Sequence, residues 1–214
     1  MLSPIFLFAD SQLLFWREDG RLLIERVRTG DRLKAAYIGA SNGDDPDFYA
    51  IFVSAMEGLG IVDCRMILST LSEADLAFLN DANIILLAGG DVEVGWQTFL
   101  TNGLNNYLVR RYFEGASLIG ISAGAVQLGR SYLGLVPFII GAHEESDIWK
   151  TTIARLSENE TTAIGLPTGG GAIYHEDHTV EPLRYPLVRL SFCSRRSKIA
   201  EPQIISERQG SDGP

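Results

Sequence analysis

Short apolar runs alternate with longer amphipathic stretches along most of the chain. Runs of roughly four to eight residues with few polar interruptions are typical of strands that are buried on both faces of a sheet. They predict strands at Ile5–Ala9, Ala35–Ile38, Ile61–Leu68, Asn83–Ala88 and Ser117–Ile121. Because helices are predicted between them, the order indicates βαβ units. We therefore expect an α/β fold, a three-layer sandwich with a mostly parallel central sheet.

The amphipathic stretches predict helices at Leu22–Val27, Phe48–Leu59 and Glu73–Asn80. The second is the clearest, because its apolar residues recur at helical spacing and glycines follow its end. These residues are Phe48, Ile51, Phe52, Ala55, Met56 and Leu59. The spacing places all of them on one face of the helix.

No segment is rich enough in proline, glycine or serine to act as a linker, so residues 1–208 are predicted to form one domain. After about Pro182 the alternation loses its regularity. The composition of residues 209–214 is that of a frayed end, which predicts a disordered tail. The sequence leaves the oligomeric state open, with a homodimer as the candidate.

Composition and charge narrow the classes of function. Of the 214 residues, 46% are hydrophobic and 21% are charged, which indicates a globular chain. The net charge of −9 argues against a nucleic-acid partner, because basic residues are needed to neutralise phosphates. A basic cluster near the C-terminus, formed by Arg195, Arg196 and Lys198, is interpreted as a solvated surface.

The cysteines and the N-terminus indicate the compartment. Cys64 and Cys193 are too few for a disulfide framework and lack metal-ligand spacing, so each is interpreted as a small buried hydrophobe. The apolar start of the chain has no basic region before it and is predicted to be a strand rather than a signal peptide. No apolar run approaches the ~20 residues of a membrane span. We expect a cytoplasmic protein with no membrane partner.

One motif carries a specific chemistry. Gly120-Ile121-Ser122-Ala123-Gly124 matches the pattern Gly-x-Ser-x-Gly, follows a predicted strand and opens a stretch of small residues typical of a helix. In this context the turn lifts the Ser122 hydroxyl above the sheet, as in a nucleophile elbow. The amide of Ala123 then points to the place where an oxyanion would form. The alternative is a tight turn in which Ser122 caps a helix.

A second glycine element ends another predicted strand, at Ala88-Gly89-Gly90-Asp91. Ligands bind at the carboxyl edge of parallel strands, and glycine lets backbone approach them closely. The amide of Gly90 is therefore a candidate for a second oxyanion donor. Alternatively, the element is a turn in which Asp91 caps the following helix.

A hydroxyl nucleophile needs a base within hydrogen-bond reach. The chain has three histidines. His143 follows a short apolar run and can emerge at the same edge of the sheet as Ser122. His175 and His178 lie in a polar run with Glu176 and Asp177, which is more typical of a solvated loop than of a zinc site.

With these motifs in place, the sequence resembles the aspartyl dipeptidase and cyanophycinase family of serine peptidases. The matching segments, in family order, are Ala36–Ser41, Ile84–Asp91, Gly120–Ala125, Pro137–His143 and Ala163–Pro167. The resemblance implies a fold like that of class I glutamine amidotransferases, which is flavodoxin-like. It also implies Ser122 as nucleophile, His143 as general base, and Gly90 and Ala123 as oxyanion-hole amides. The implied reaction cleaves a small, aspartyl-containing peptide through an acyl-enzyme, without a cofactor.

The sequence departs from the family pattern around the histidine. Thr168 stands where the dipeptidase branch has the acid that orients the histidine, and Gly141 stands where the cyanophycinase branch has an aspartate. A threonine can hold the imidazole tautomer but cannot compensate the imidazolium charge. Glu144, Glu145 and Glu176 are the candidate substitutes. Lys150 and Arg155 are the candidates for binding an acidic substrate side chain.

Three functions follow from these observations. The first is a serine hydrolase that acts on a small peptide or amide with Ser122 and His143. The second is a catalytically impaired family member that binds a peptide or a protein partner in the same cleft. The third is an amidotransferase-like enzyme, which is disfavoured because such an enzyme needs cysteine at the elbow and position 122 is serine.

Overall fold

A computed structural model describes residues 2–27, 33–157, 162–193, 198–199 and 201–210. The helices are α1 (Pro46–Glu57), α2 (Glu73–Asp81), α3 (Val92–Asn102), α4 (Leu104–Phe113), α5 (Ala123–Leu128) and α6 (Lys150–Arg155). The strands are β1 (Ile5–Phe8), β2 (Arg17–Glu18), β3 (Arg21–Leu22), β4 (Lys34–Ile38), β5 (Asp63–Ile67), β6 (Ile84–Leu87), β7 (Ser117–Ile121), β8 (Ile139–Ala142), β9 (Thr162–Leu166), β10 (Gly171–Tyr174), β11 (Thr179–Leu183), β12 (Leu187–Cys193), β13 (Lys198–Ile199), β14 (Gln203–Ile205) and β15 (Gln209–Gly210).

The central sheet has the strand order β15-β11-β10-β1-β7-β6-β4-β5 within the described residues. The neighbours from β1 through β7, β6 and β4 to β5 all pair in parallel. On the other side of β1, strands β10, β11 and β15 pair antiparallel. The predicted α/β class with a mostly parallel central sheet is confirmed. The carboxyl ends of the parallel strands meet at one edge, which is where ligands bind in such sheets.

Both faces of this sheet are buried. Successive side chains along each strand point alternately to one face and to the other. Ile5 and Leu7 of β1 pack with α3, α4 and α5 on one face, in the cluster that contains Phe99. Phe6 and Phe8 face the other way, toward α1, in the cluster that contains Phe52. This period of two is the reason why the parallel strands appear in the sequence as continuous apolar runs.

A second, smaller sheet follows helix α5 and contains β8, β9, β12, β13 and β14. Strands β8 and β9 are parallel, and β12 pairs antiparallel with β9. Ile140 and Ile164 of this sheet pack into the main core, whereas Ile139 and Ala163 face Trp149 beside helix α6. The sheet therefore brings the end of β8 toward the edge where β7 ends.

Several elements differ from the sequence-based prediction. The helix predicted at Leu22–Val27 is a short 3₁₀ helix, Leu23–Val27, that follows strand β3. Helix α3 was anticipated only as the helix that Asp91 would cap, and helix α4 and the strands beyond Pro182 had no prediction. In the predicted tail, Gln209 and Gly210 pair with Val180 and Thr179, and residues 211–214 lie outside the described residues. Arg195 and Arg196 of the basic cluster also lie outside them. No helix in the described ranges is long and apolar enough to cross a bilayer.

Candidate active site

Ser122 occupies a sharp turn between strand β7 and helix α5. Its φ of 48° and ψ of −108° lie outside the regions that non-glycine residues ordinarily adopt, so the turn holds the residue in a strained conformation. Neighbouring elements fix both of its backbone groups. The Ser122 amide donates to the carbonyl of Phe8 at 2.9 Å, and its carbonyl accepts from the amide of Val126 at 3.0 Å. The strained residue is thus locked at the carboxyl edge of the central sheet.

Gly124 explains how helix α5 can start so close to the sheet. A Cβ at this position would lie 2.1 Å from the carbonyl oxygen of Leu87, which belongs to the neighbouring strand β6. Only a residue without a side chain allows this approach. The second glycine of the motif therefore allows helix α5 to pack directly against strand β6.

His143 follows directly after strand β8 and faces Ser122. The Ser122 Oγ lies 2.8 Å from His143 Nε2, which is hydrogen-bond distance. The histidine also has a positive φ, 47°, and its amide donates to the carbonyl of Leu166 at the end of β9. The structure therefore brings together the two residues that the sequence singled out as nucleophile and base.

Gly90 lies beside this pair at the end of strand β6. Its φ is +133°, and a Cβ there would lie 2.0 Å from the carbonyl oxygen of Ser41, so no other residue fits without movement. Asp91 caps helix α3 through a hydrogen bond from the amide of Val94, as in the alternative interpretation of this element. Asp91 can cap helix α3 while Gly90 faces a ligand, because Gly90, Ser122 and His143 line one cavity.

Ala123 is the first residue of helix α5. The first amides of a helix have no intrahelical acceptor, so this amide is available to a ligand. Gly90 follows the end of β6 and Ala123 follows the end of β7, and these two neighbouring parallel strands end at the same edge of the sheet.

A buried polar network supports the Gly90 turn from behind. The fully buried Gln127 side chain donates to Ser41 Oγ at 3.0 Å and to the carbonyl of Val92 at 2.9 Å. Ser41 in turn accepts the Asp91 amide at 2.7 Å through its carbonyl oxygen. Sequence reasoning did not identify Gln127, although a glutamine in the apolar helix that follows the elbow is a usable signal.

Of the three candidate orienting acids, Glu145 is the one whose carboxylate lies against Thr168. It accepts hydrogen bonds from the amide and, at 3.4 Å, from the hydroxyl of Thr168. Burial raises the pKa of Glu145, but the bonds from Thr168 and the nearby charge of His143 outweigh it, so the pKa lies below its usual value. The Glu145 carboxylate and Thr168 are therefore in contact with each other, beside the loop that carries His143. Among the described residues, the His143 ring has Ser122 as its hydrogen-bond partner and makes no such bond to a carboxylate.

The other two candidate acids lie elsewhere. Glu144 turns away and accepts bonds from the amide and hydroxyl of Thr152, at 3.0 and 2.9 Å. Glu176 accepts from the amide of Leu2. Because β10 runs antiparallel to β1, the residues after β10 emerge at the edge opposite to Ser122. The structure thus brings Glu145 toward His143, but not Glu144 or Glu176.

The polar run with the remaining histidines is also at that opposite edge. His175 Nε2 lies 2.8 Å from a Glu181 oxygen, and His178 Nδ1 lies 2.7 Å from the Tyr174 hydroxyl. Asp177 pairs with Arg208. Among the residues that the structure describes, no three histidine, cysteine or carboxylate side chains are grouped as metal ligands would be.

A cavity of about 240 Å³ opens beside Ser122 and His143. Lys150 and Arg155, the expected ligands of an acidic side chain, are not among its lining residues. Lys150 is exposed at the start of α6, and the guanidinium of Arg155 lies 5.1 Å from the ring centre of Tyr132. The lining residues are Ala9, Asp10, Ser11, Leu14, Tyr37, Asn42, Phe48, Ile51, Phe52, Leu86, Ala88, Gly89, Gly90, Ile121, Ser122 and His143.

Sequence reasoning missed Asp10 and Asn42 in this lining. Asp10 comes shortly after strand β1, and Asn42 lies in the turn that follows β4. Both strands end at the same edge as β7, so their positions after predicted parallel strands were a usable signal.

Comparison with solved structures supports the fold. The structure resembles the crystal structure of a peptidase from an acI-B1 Actinobacterium, with a TM-score of 0.70 and 15% sequence identity over 98% of this chain and 97% of that chain. It also resembles a putative peptidase E protein from Listeria monocytogenes EGD-e, with a TM-score of 0.65 and 17% identity over 86% of this chain and 99% of that chain. At these identities the likeness shows the fold alone.

Sequence comparison identifies the family. No curated protein matches the chain significantly. The sequence profile described as Peptidase family S51 matches residues 20–135, more than half of the 214 residues, including the elbow at Ser122. This match agrees with the resemblance to serine peptidases inferred from the motifs, and the chain therefore belongs to peptidase family S51.

Proposed function

We propose that this S51 family member is a serine peptidase that cleaves small peptides through an acyl-enzyme on Ser122. The observation that carries the proposal is the 2.8 Å separation of Ser122 Oγ and His143 Nε2 at a strained strand-to-helix turn. A hydroxyl is a weak nucleophile unless a base takes its proton, and His143 Nε2 lies within hydrogen-bond distance to act as that base.

The proposed reaction has two halves. In the first, Ser122 Oγ attacks the substrate carbonyl carbon while its proton passes to His143 Nε2. The carbonyl oxygen becomes an oxyanion that the amides of Gly90 and Ala123 stabilise. As the C–N bond breaks, the Nε2 proton moves to the leaving amine. In the second half, water attacks the Ser122 ester, His143 accepts its proton, and the proton returns to Ser122 Oγ when the acid product leaves.

Glu145 has a positioning role in this proposal. The mechanism needs the proton of neutral His143 on Nδ1, so that Nε2 can accept from Ser122. Glu145 is two residues along the chain from His143, and Thr168 holds its carboxylate in place. Its negative charge stabilises the imidazolium that forms during acylation, because the two groups attract each other through space.

A catalytically impaired protein that binds peptides in the same cleft is the second candidate. The observation that favours it is that Glu145 bonds to Thr168 and not to the imidazole within the described structure. In serine peptidases, a direct bond from the acid to the histidine fixes the tautomer, and its loss costs on the order of 10⁴ in turnover.

Peptide hydrolysis distinguishes the two candidates. The wild type is incubated with a mixture of dipeptides and tripeptides, and new amino groups are quantified over time. We expect turnover that falls by at least about 10³-fold in Ser122→Ala and in His143→Ala. Binding of peptides without any turnover above that of Ser122→Ala would support the impaired protein instead.

A further inference from the structure

The cavity beside Ser122 has a wall of large apolar side chains. Phe52, Leu86 and Ala88 are buried at its base, together with Leu14 and Tyr37. Helix α1 also contributes Phe48 and Ile51, which remain 51% and 36% exposed. These two residues belong to the apolar face of α1, yet at the cavity rim nothing in the described structure covers them fully. A ligand that covers them gains the free energy of removing apolar surface from water.

The charges in the cavity oppose an acidic side chain. The lining residues include one carboxylate, Asp10, and neither lysine nor arginine. The Asp10 carboxylate accepts from the amide and side chain of Gln12 and from the amide of Gly169. Among the described residues, these donors to Asp10 are uncharged, and Asp10 is itself part of the cavity lining. A substrate carboxylate placed there would lose hydration, meet no cation and be repelled.

On the peptidase function proposed above, we propose that this cavity binds a large apolar residue of the substrate and excludes an acidic one. The specificity-determining residues are Phe48 and Ile51 at the rim, with Asp10 as the group that rejects negative charge. The position of helix α1 over the cavity, rather than Lys150 or Arg155, sets the substrate class.

Matched peptides test this specificity. The values of kcat/KM are measured for X-Leu and Leu-X dipeptides in which X is leucine, phenylalanine or aspartate. For the position seated in the cavity, the apolar peptides are expected to exceed the aspartyl peptide by at least about 10-fold, which is the effect of burying one large side chain. Equal values, or a preference for aspartate, would overturn the proposal.

Two variants assign the effect to the cavity. Ile51→Arg places a cation at the rim and is expected to shift the ratio of aspartyl to apolar substrates by at least about 10-fold toward aspartate. Phe48→Ala is expected to lower kcat/KM for the phenylalanyl peptide more than for the aspartyl peptide. Lys150→Ala is the matched control, because it lies outside the cavity, and its ratio is expected to equal that of the wild type. The assignment would be overturned if Lys150→Ala changed the ratio of aspartyl to apolar substrates while Ile51→Arg left it unchanged.

A binding measurement separates this inference from the proposed function. Calorimetric titration of the Ser122→Ala variant with the same peptides reports affinity without turnover. If the wild type hydrolyses no peptide, the peptidase proposal fails, and tighter binding of the leucyl and phenylalanyl peptides still supports the cavity assignment. Tighter binding of the aspartyl peptide, or binding of none, overturns the cavity assignment whether or not the wild type is active.

Discussion

The carboxylate of Glu145 accepts hydrogen bonds from both the amide and the hydroxyl of Thr168. This pair ties the loop after β8, which carries His143, to the end of β9. It also places the negative charge of Glu145 beside position 168. In the dipeptidases that this sequence resembles, that position holds the acid that orients the histidine. In this chain, position 168 is a threonine that donates to the Glu145 carboxylate.

Glu145→Gln tests the positioning role. The amide keeps the size of the side chain but removes the charge that stabilises imidazolium, so kcat is expected to fall by about 10- to 100-fold with a smaller change in KM. The effect is smaller than in a triad whose acid bonds directly to histidine. Steady-state kinetics on one good peptide measures it. A kcat within twofold of the wild type would remove Glu145 from the mechanism.

The double variant Glu145→Gln with Thr168→Glu is the matching rescue. It returns an acid to position 168 and removes the carboxylate that would repel it there. We expect kcat to recover at least about threefold relative to Glu145→Gln alone. A structural role of the Glu145–Thr168 pair would give no recovery, because the new acid cannot rebuild the same hydrogen bonds.

Gly90→Ala tests the oxyanion site. Its Cβ would lie 2.0 Å from the Ser41 carbonyl oxygen at a φ of +133°, so the turn must move and take the Gly90 amide with it. The expected loss in kcat is about 10²- to 10³-fold, as for removal of one oxyanion donor. Gly60→Ala is the control, since Gly60 has a φ of +74° but no atom within 4 Å of the added Cβ. It is expected to lose about 1 kcal/mol of stability without a loss in kcat. Equal kcat in both variants would contradict the assignment.

Gln127→Leu tests the support behind this turn. The substitution keeps a buried side chain of similar size but leaves Ser41 Oγ and the Val92 carbonyl without their donor. We expect the free energy of unfolding to fall by about 1–3 kcal/mol, measured by urea denaturation. Thr101→Val removes an exposed intrahelical hydroxyl bond and is expected to change it by less than about 0.5 kcal/mol. Similar losses in the two variants would show that the network is not needed.

Asp75 gives a pH-dependent contribution to stability. Burial raises the pKa of this carboxyl, but hydrogen bonds from Ser72 and from Arg65 outweigh it and lower the pKa below its usual value. A lowered pKa in the folded state contributes stability above the usual aspartate pKa of about 3.9, and this contribution is lost as the pH falls through the folded-state value.

Asp75→Asn is therefore expected to destabilise the protein by about 1–2 kcal/mol at pH 7 and by progressively less below about pH 4. Urea denaturation of wild type and variant across this range measures the difference. Asp81→Asn breaks the exposed pair with Lys34 and serves as the control, with an expected change below about 0.5 kcal/mol. A difference between wild type and Asp75→Asn that stays constant with pH would contradict the assignment.

The parallel strands of the central sheet could be predicted from the sequence alone. Strands β1, β4, β6 and β7 are buried on both faces, so each appears as a continuous apolar run. The elbow could be predicted too, because Gly124 and the strand before Ser122 are local features. Helices α3 and α4 were not assigned from the sequence, although Leu104, Leu108 and Tyr112 recur at helical spacing and Gly103, at a φ of 70°, separates the two helices.

The substrate side of the site depends on contacts that the sequence does not reveal. Phe48 and Ile51 have the spacing of a core-facing helical stripe, but the position of α1 leaves them at the rim of the cavity. The Glu145–Thr168 pair joins two strand ends that are distant in sequence, and its geometry depends on the loop after β8. The sequence also could not place Lys150 and Arg155, neither of which lines the cavity, and the Arg155 guanidinium lies over the ring of Tyr132 instead.

Labelling with a fluorophosphonate probe tests the central claim most directly, because the probe forms a stable bond only with an activated serine. Intact mass and peptide mapping are measured for the wild type, Ser122→Ala and His143→Ala. The proposed mechanism predicts one adduct per chain on Ser122 in the wild type, none in Ser122→Ala, and labelling slowed by at least about 100-fold in His143→Ala. A wild type that remains unlabelled, or an adduct that persists in Ser122→Ala, would contradict the assignment of Ser122 as the nucleophile.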